Sequence, residues 1–131
     1  MKITVILFLM LLVTASSAFE LECKDIYTTV TEQKGKNPYT AEGSFGKQTT
    51  TIKLVNDEQD VYVIGSEKVK LEYLSQGMGN VYMYERTLTG NINLYSLFSD
   101  GTLTISKSYD LLGMAKMNVQ TVYQCTEKET K

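Results

Sequence analysis

From residue 19 onward the chain alternates apolar and polar positions with a period of two, the pattern of strands that bury one face. In Phe19-Glu-Leu-Glu-Cys-Lys24 the odd positions are apolar and the even ones charged. Near the other end, positions 115, 117, 119, 123 and 125 are apolar, while Lys116, Asn118, Gln120 and Gln124 are polar. Between them, turn residues divide the chain into predicted strands at 50–55, 61–64, 68–73, 81–86, 92–98 and 102–107. The dividing turns are Asn56-Asp57, Gly65-Ser66, Gly77-Met-Gly-Asn80, Thr89-Gly90 and Ser99-Asp100-Gly101, the last a hairpin signal. With the two ends, eight strands are predicted. No segment shows a helical period, and Asp110-Leu-Leu-Gly-Met114 is short and broken by Gly113. The stretch 33–47, with Gly35, Asn37-Pro38, Gly43 and Gly46, predicts the longest loop.

Eight short strands joined by tight turns predict an all-β fold, a single antiparallel meander curled into a barrel or a flattened sandwich. The phase of the alternation places Val69, Leu71, Tyr73, Ile92, Leu94, Leu103, Ile105, Met117 and Val119 inside, a set bulky enough to fill a small barrel. Cys23 and Cys125 share that inward phase on the first and last strands. In an eight-stranded up-and-down order those strands are antiparallel neighbours, so a disulfide between the two cysteines would clasp the seam.

Residues 1–18 stand apart from this pattern. Lys2, the apolar run from Ile3 to Val13 and the small residues Ser16-Ser17-Ala18 predict a secretory signal peptide cut after Ala18. The apolar run covers only about half of a ~30 Å hydrocarbon core, too little for a membrane span. Residues 19–131 then form one exported domain, periplasmic or secreted. Export supplies the oxidising compartment that the disulfide needs. A transmembrane barrel is disfavoured because the alternate strand face carries Lys, Glu, Asn, Gln and Thr.

Beyond residue 18 the balance is acidic, twelve basic residues against fifteen acidic, so a nucleic-acid partner is not expected. The sequence contains no histidine, which excludes Ser-His-Asp and Cys-His nucleophiles and the common zinc sites. Most carboxylates fall in turns (Asp57, Glu58, Asp60, Asp100, Asp110) or on polar strand faces (Glu20, Glu22, Glu72). Gly77-Met-Gly-Asn80 lacks the strand-to-helix setting of a phosphate loop. The expectation is therefore a protein that is not an enzyme and uses no cofactor or metal. Tyrosine is the residue type that stands out, with nine copies and no tryptophan. If Val81 and Met83 face the core, then Tyr82, Tyr84 and Arg86 form an outward stripe of the kind enriched in binding surfaces. The alternative is ordinary cross-strand packing of those tyrosines.

An exported all-β chain of this size, with a cysteine in its first and last strands and the step Gly79-Asn-Val-Tyr82, resembles the bacterial inhibitors of C-type lysozyme. The resemblance implies a periplasmic or membrane-anchored barrel that inserts a serine-containing loop and a tyrosine strand into the lysozyme cleft. It would make Ser75, Gly79 and Tyr82 contact residues. Gln76 stands where the family motif has its serine, and Ser75 lies one residue further back. The expected function is an exported binding module whose partner is a protein of the cell envelope or the exterior, with inhibition of a cell-envelope hydrolase such as lysozyme as its specific form. The alternatives are a small-ligand carrier with a lipocalin-like barrel and a structural envelope domain without a soluble ligand.

Overall fold

The structure is a computed structural model that describes residues 19–45, 50–57, 60–110 and 115–127. The expected signal segment, Glu58, residues 111–114 and the end of the expected loop at 46–47 lie outside those residues. Nine strands follow in chain order: β1 (Phe19–Lys34), β2 (Thr40–Phe45), β3 (Thr51–Asn56), β4 (Val61–Ile64), β5 (Lys68–Gly77), β6 (Asn80–Arg86), β7 (Ile92–Leu97), β8 (Thr102–Asp110) and β9 (Ala115–Glu127). All pair antiparallel, in the order β2-β1-β3-β4-β5-β6-β7-β8-β9, and a β1–β9 ladder closes eight of them into a barrel. The expected all-β meander is thus a closed barrel with one added strand.

The addition falls where the sequence predicts a loop. β1 does not end near Lys24 but continues through Thr28-Thr-Val-Thr31, residues whose branched side chains suit a pleated backbone. It turns at Gly35, which adopts a left-handed φ of 58°, and β2 returns along its second half. Every β2 residue is exposed, so burial imposes no alternation on its sequence. What holds it is the ladder and one aromatic device: the rings of Tyr27 and Phe45 meet edge to face at 4.9 Å, and Tyr27 covers Gly43, where any Cβ would overlap the tyrosine hydroxyl.

One edge of β1 therefore serves two partners, β3 over Phe19–Lys24 and β2 over Tyr27–Glu32. The switch coincides with a bulge between Asp25 and Tyr27. The buried Asp25 carboxylate accepts the Thr50 N–H at 2.9 Å, and the Asp25 N–H donates to the Thr50 carbonyl at 3.2 Å. The backbone entering β3 is satisfied where the regular ladder lapses.

All eight barrel strands contribute to one core: Leu21 and Cys23 from β1, Leu54 from β3, Val63 from β4, Leu71 from β5, Met83 from β6, Leu97 from β7, Leu103 from β8 and Cys125 from β9, among others. Cys23 and Cys125 are directly opposed in the β1–β9 register and form the expected disulfide at the seam. Outside the barrel β1 is charged, with Glu20 paired to Lys53 of β3 at 3.7 Å and Lys24 near Glu22 at 3.9 Å.

Five inward assignments, on three strands, are corrected. In β7 the phase is inverted: Asn93, Tyr95 and Leu97 point in, while Ile92 and Leu94 are nearly half exposed. The inner face accepts Asn93 because Glu85, its cross-strand partner on β6, bonds its amide at 2.9 Å. Tyr73 is 60% exposed rather than internal: it stands opposite the buried Met83, but β4 pairs with β5 only as far as Leu71 and leaves Tyr73 uncovered on that side. Met117 and Val119 are only half-buried, since their ladder partners on β1 are Glu32 and Val30, beyond the bulge and away from the packed core.

Candidate functional site

β4 pairs with β5 only over Lys68–Leu71, whereas β6 pairs with β5 as far as Gly77. The end of the β5–β6 hairpin consequently projects past β4, and residues 72–79 are all exposed. It displays three large apolar side chains, Tyr73 at 60%, Leu74 at 55% and Met78 at 97% exposure. A monomer gains nothing from exposing these groups together.

The turn at the tip has only two central residues, Met78 with φ 55° and Gly79 with φ 82°. Positive φ at both positions is the type I′ turn, whose twist matches the flanking strands and which favours Asn-Gly or Gly-Gly. Gly79 obeys this rule for a second reason, since a Cβ there would lie 3.2 Å from the Ser99 Cβ. Met78 breaks it. A side chain in the left-handed region costs about 1 kcal/mol, and this one makes up none of that by burial. The tip is anchored on its β7 side: Asn80, next to the turn, accepts the Ser99 N–H on Oδ1 at 3.1 Å, tying the hairpin end to the turn between β7 and β8.

The residues expected at the site divide as follows. Ser75 and Tyr82 are cross-strand partners, and Gly79 sits in the turn between their strands, so all three belong to this hairpin. With Val81 and Met83 buried at 3% and 2%, Tyr82 and Tyr84 take the outward face of β6 and are half-buried, and Arg86 is exposed beyond them. The β7 inversion enlarges that face, because the exposed Leu94 and Ile92 stand opposite Tyr84 and Arg86 in the ladder. Tyr73, Leu74, Met78, Ile92 and Leu94 were not expected at the site. Only Met78 carried a readable signal, a large apolar residue between two glycines in a tight turn.

Inside the barrel, a second polar group lies at the end away from this hairpin tip. Glu85 Oε1 accepts from Asn93 Nδ2 at 2.9 Å and from the Tyr95 hydroxyl at 3.4 Å. Burial and the neighbouring Glu85 carboxylate both hold Tyr95 protonated well above the usual tyrosine range. Tyr123 is raised as well, by burial and then by Asp25. Phenols held neutral make poor nucleophiles and bases, so this group reads as a satisfied internal network. Among the described residues no cluster of three or more acidic, Cys or His side chains could hold a metal ion, and no helix is long and apolar enough to cross a membrane. Comparison of the chain with protein families, curated proteins and solved structures yields no match, so the functional reading rests on this hairpin and the face beside it.

Proposed function

We propose that this chain is an exported, non-enzymatic binding module that presents the β5–β6 hairpin to a protein partner, with a cell-envelope hydrolase of the lysozyme kind as the target it would inhibit. The observation that carries the reading is Met78, an apolar side chain held almost fully exposed at a strained turn position on a projecting hairpin. Methionine is flexible and polarisable, which suits it to filling a partner's pocket. Beyond Leu71 the β4-side edge of β5 has no ladder partner, so this edge and the tip beside it are open to a partner's surface. Ser75 and Tyr82 flank the tip as polar and aromatic contacts, with Tyr84 and Arg86 at the margin. The charge balance of residues 19–131 is mildly acidic, which favours encounter with a basic partner.

A lipocalin-like carrier is disfavoured by the core, where side chains from all eight strands meet and Leu54, Leu97 and Leu103 are fully buried. Export is supported by the buried disulfide and by the leader-like residues 1–18. The test is to add the purified, oxidised protein to a panel of lysozymes of C and other types. The proposal expects loss of activity of a C-type enzyme and a complex at micromolar concentration, abolished by Met78→Asp. No inhibition and no complex across the panel would overturn it.

A further inference from the structure

Turns of a meander alternate between the two ends of its barrel, so the β6–β7 turn lies at the end opposite the β5–β6 hairpin tip. There, β1, β9 and β8 run on together, and a groove of about 320 Å³ opens against their extensions. That size falls at the lower end of small-molecule sites. Three successive register rows line it. The first is Thr31–Asn118–Ser108, the second Met117–Tyr109 and the third Lys116–Asp110. Asn91 of the β6–β7 turn and Tyr39, just before β2, complete the lining.

From this lining we infer a binding site for a short neutral saccharide. The ionic residues, Lys116 and Asp110, are cross-strand partners of opposite sign, so the groove offers no net charge to an ionic ligand. Most of the exposed wall is carbon, and the amides and hydroxyls of Thr31, Asn91, Ser108 and Asn118 are set into it, so a purely apolar ligand would leave those polar groups without partners. What remains is a ligand with both polar groups and an apolar face. A pyranose ring has that character, with hydroxyls around its rim and a patch of C–H groups that packs on an aromatic ring. Tyr39 and Tyr109, 61% and 39% exposed, supply such rings, and each adds a hydroxyl. Asn118 is oriented for the task. The two hydrogens of its Nδ2 are shared among Ser106 Oγ and Ser108 Oγ, both at 3.1 Å, and the Lys107 carbonyl at 3.3 Å, and the carbonyl oxygen Oδ1 takes no part in these bonds. A side chain so locked presents an acceptor of fixed direction to a sugar hydroxyl.

The inference stands apart from the hairpin reading, since it concerns the other end of the barrel. Its test is an NMR titration of the isotope-labelled, oxidised protein with neutral trisaccharides of glucose, mannose, galactose and N-acetylglucosamine, using adenosine as an aromatic control. At least one trisaccharide is expected to shift the side-chain amide signals of Asn91 and Asn118. Tyr109→Ala should weaken that binding about tenfold or more, with Tyr109→Phe close to wild type. Tyr39→Ala, on an exposed loop that the barrel does not need, should also weaken it and serves if Tyr109→Ala fails to fold. Shifts with adenosine alone, no shift with any trisaccharide, or undiminished binding by both alanine variants would overturn the site.

Discussion

Met78 combines a left-handed backbone with an apolar side chain that touches almost nothing, and its replacement separates stability from binding. Met78→Asn should stabilise the protein by about 0.5–1 kcal/mol, because asparagine tolerates the left-handed region that methionine resists. The same change should weaken partner binding, so thermal melting and affinity would move in opposite senses. Tyr95 makes a pH prediction. Its raised pKa means that the native state favours the neutral phenol. Its contribution is complete below about pH 10, where the unfolded tyrosine is also neutral, and declines at higher pH as only the unfolded chain ionises. Ultraviolet titration should therefore show Tyr95 ionising together with alkaline unfolding, and Tyr95→Phe should flatten the loss of stability above that pH. The outward phase of Tyr82 and Tyr84 was legible because Val81 and Met83 offered an unambiguous inner face. Tyr95 was not, because Ile92 and Leu94 are the more apolar pair and only the Glu85 carboxylate across the ladder reverses the preference.

At the scale of elements, the strands that could be read are those that bury a face. β3, β4, β6 and β8 lie within a residue or two of their expected bounds, apart from the outer end of β8, since alternation records burial directly. β2 left no such record because it buries nothing, and β1 was cut short because its continuation faces mostly half-exposed surroundings. The β5 bulge after Tyr73 is invisible in composition, as is the early end of β4 that leaves Tyr73 uncovered. β2 depends locally on the Tyr27 ring lying over Gly43. Gly43→Val should push that ring aside and release β2, seen as faster amide exchange at Thr40–Phe45. Global stability should change by less than about 1 kcal/mol, because the strand adds little to the core. Fast exchange spreading to β3 and β9 would show instead that β2 supports the barrel.

Over the whole molecule, the barrel is closed twice at one place, by the β1–β9 ladder and by the disulfide opposed within it. The bond spans 102 residues of sequence. On chain-entropy grounds a loop of that length is restrained by about 4–5 kcal/mol in the unfolded state, within a typical total stability of about 5–15 kcal/mol. Replacing both cysteines by alanine should lower stability by about 2–5 kcal/mol, measured by urea unfolding of the oxidised and variant proteins. The pairing of Cys23 with Cys125 was legible because both fall on the inward phase of strands at opposite ends of a meander. The hairpin's projection was not, since it arises from the mismatch between a four-residue β4 and a ten-residue β5. That projection, tipped by Met78, is the proposed point of attachment. The most direct measurement is amide hydrogen exchange of the oxidised protein with and without a C-type lysozyme. Exchange is predicted to slow across Tyr73–Met83 on complex formation and to stay unchanged at Thr40–Phe45. Slowing confined to other strands, or none anywhere, would contradict the assignment of the β5–β6 hairpin as the binding element.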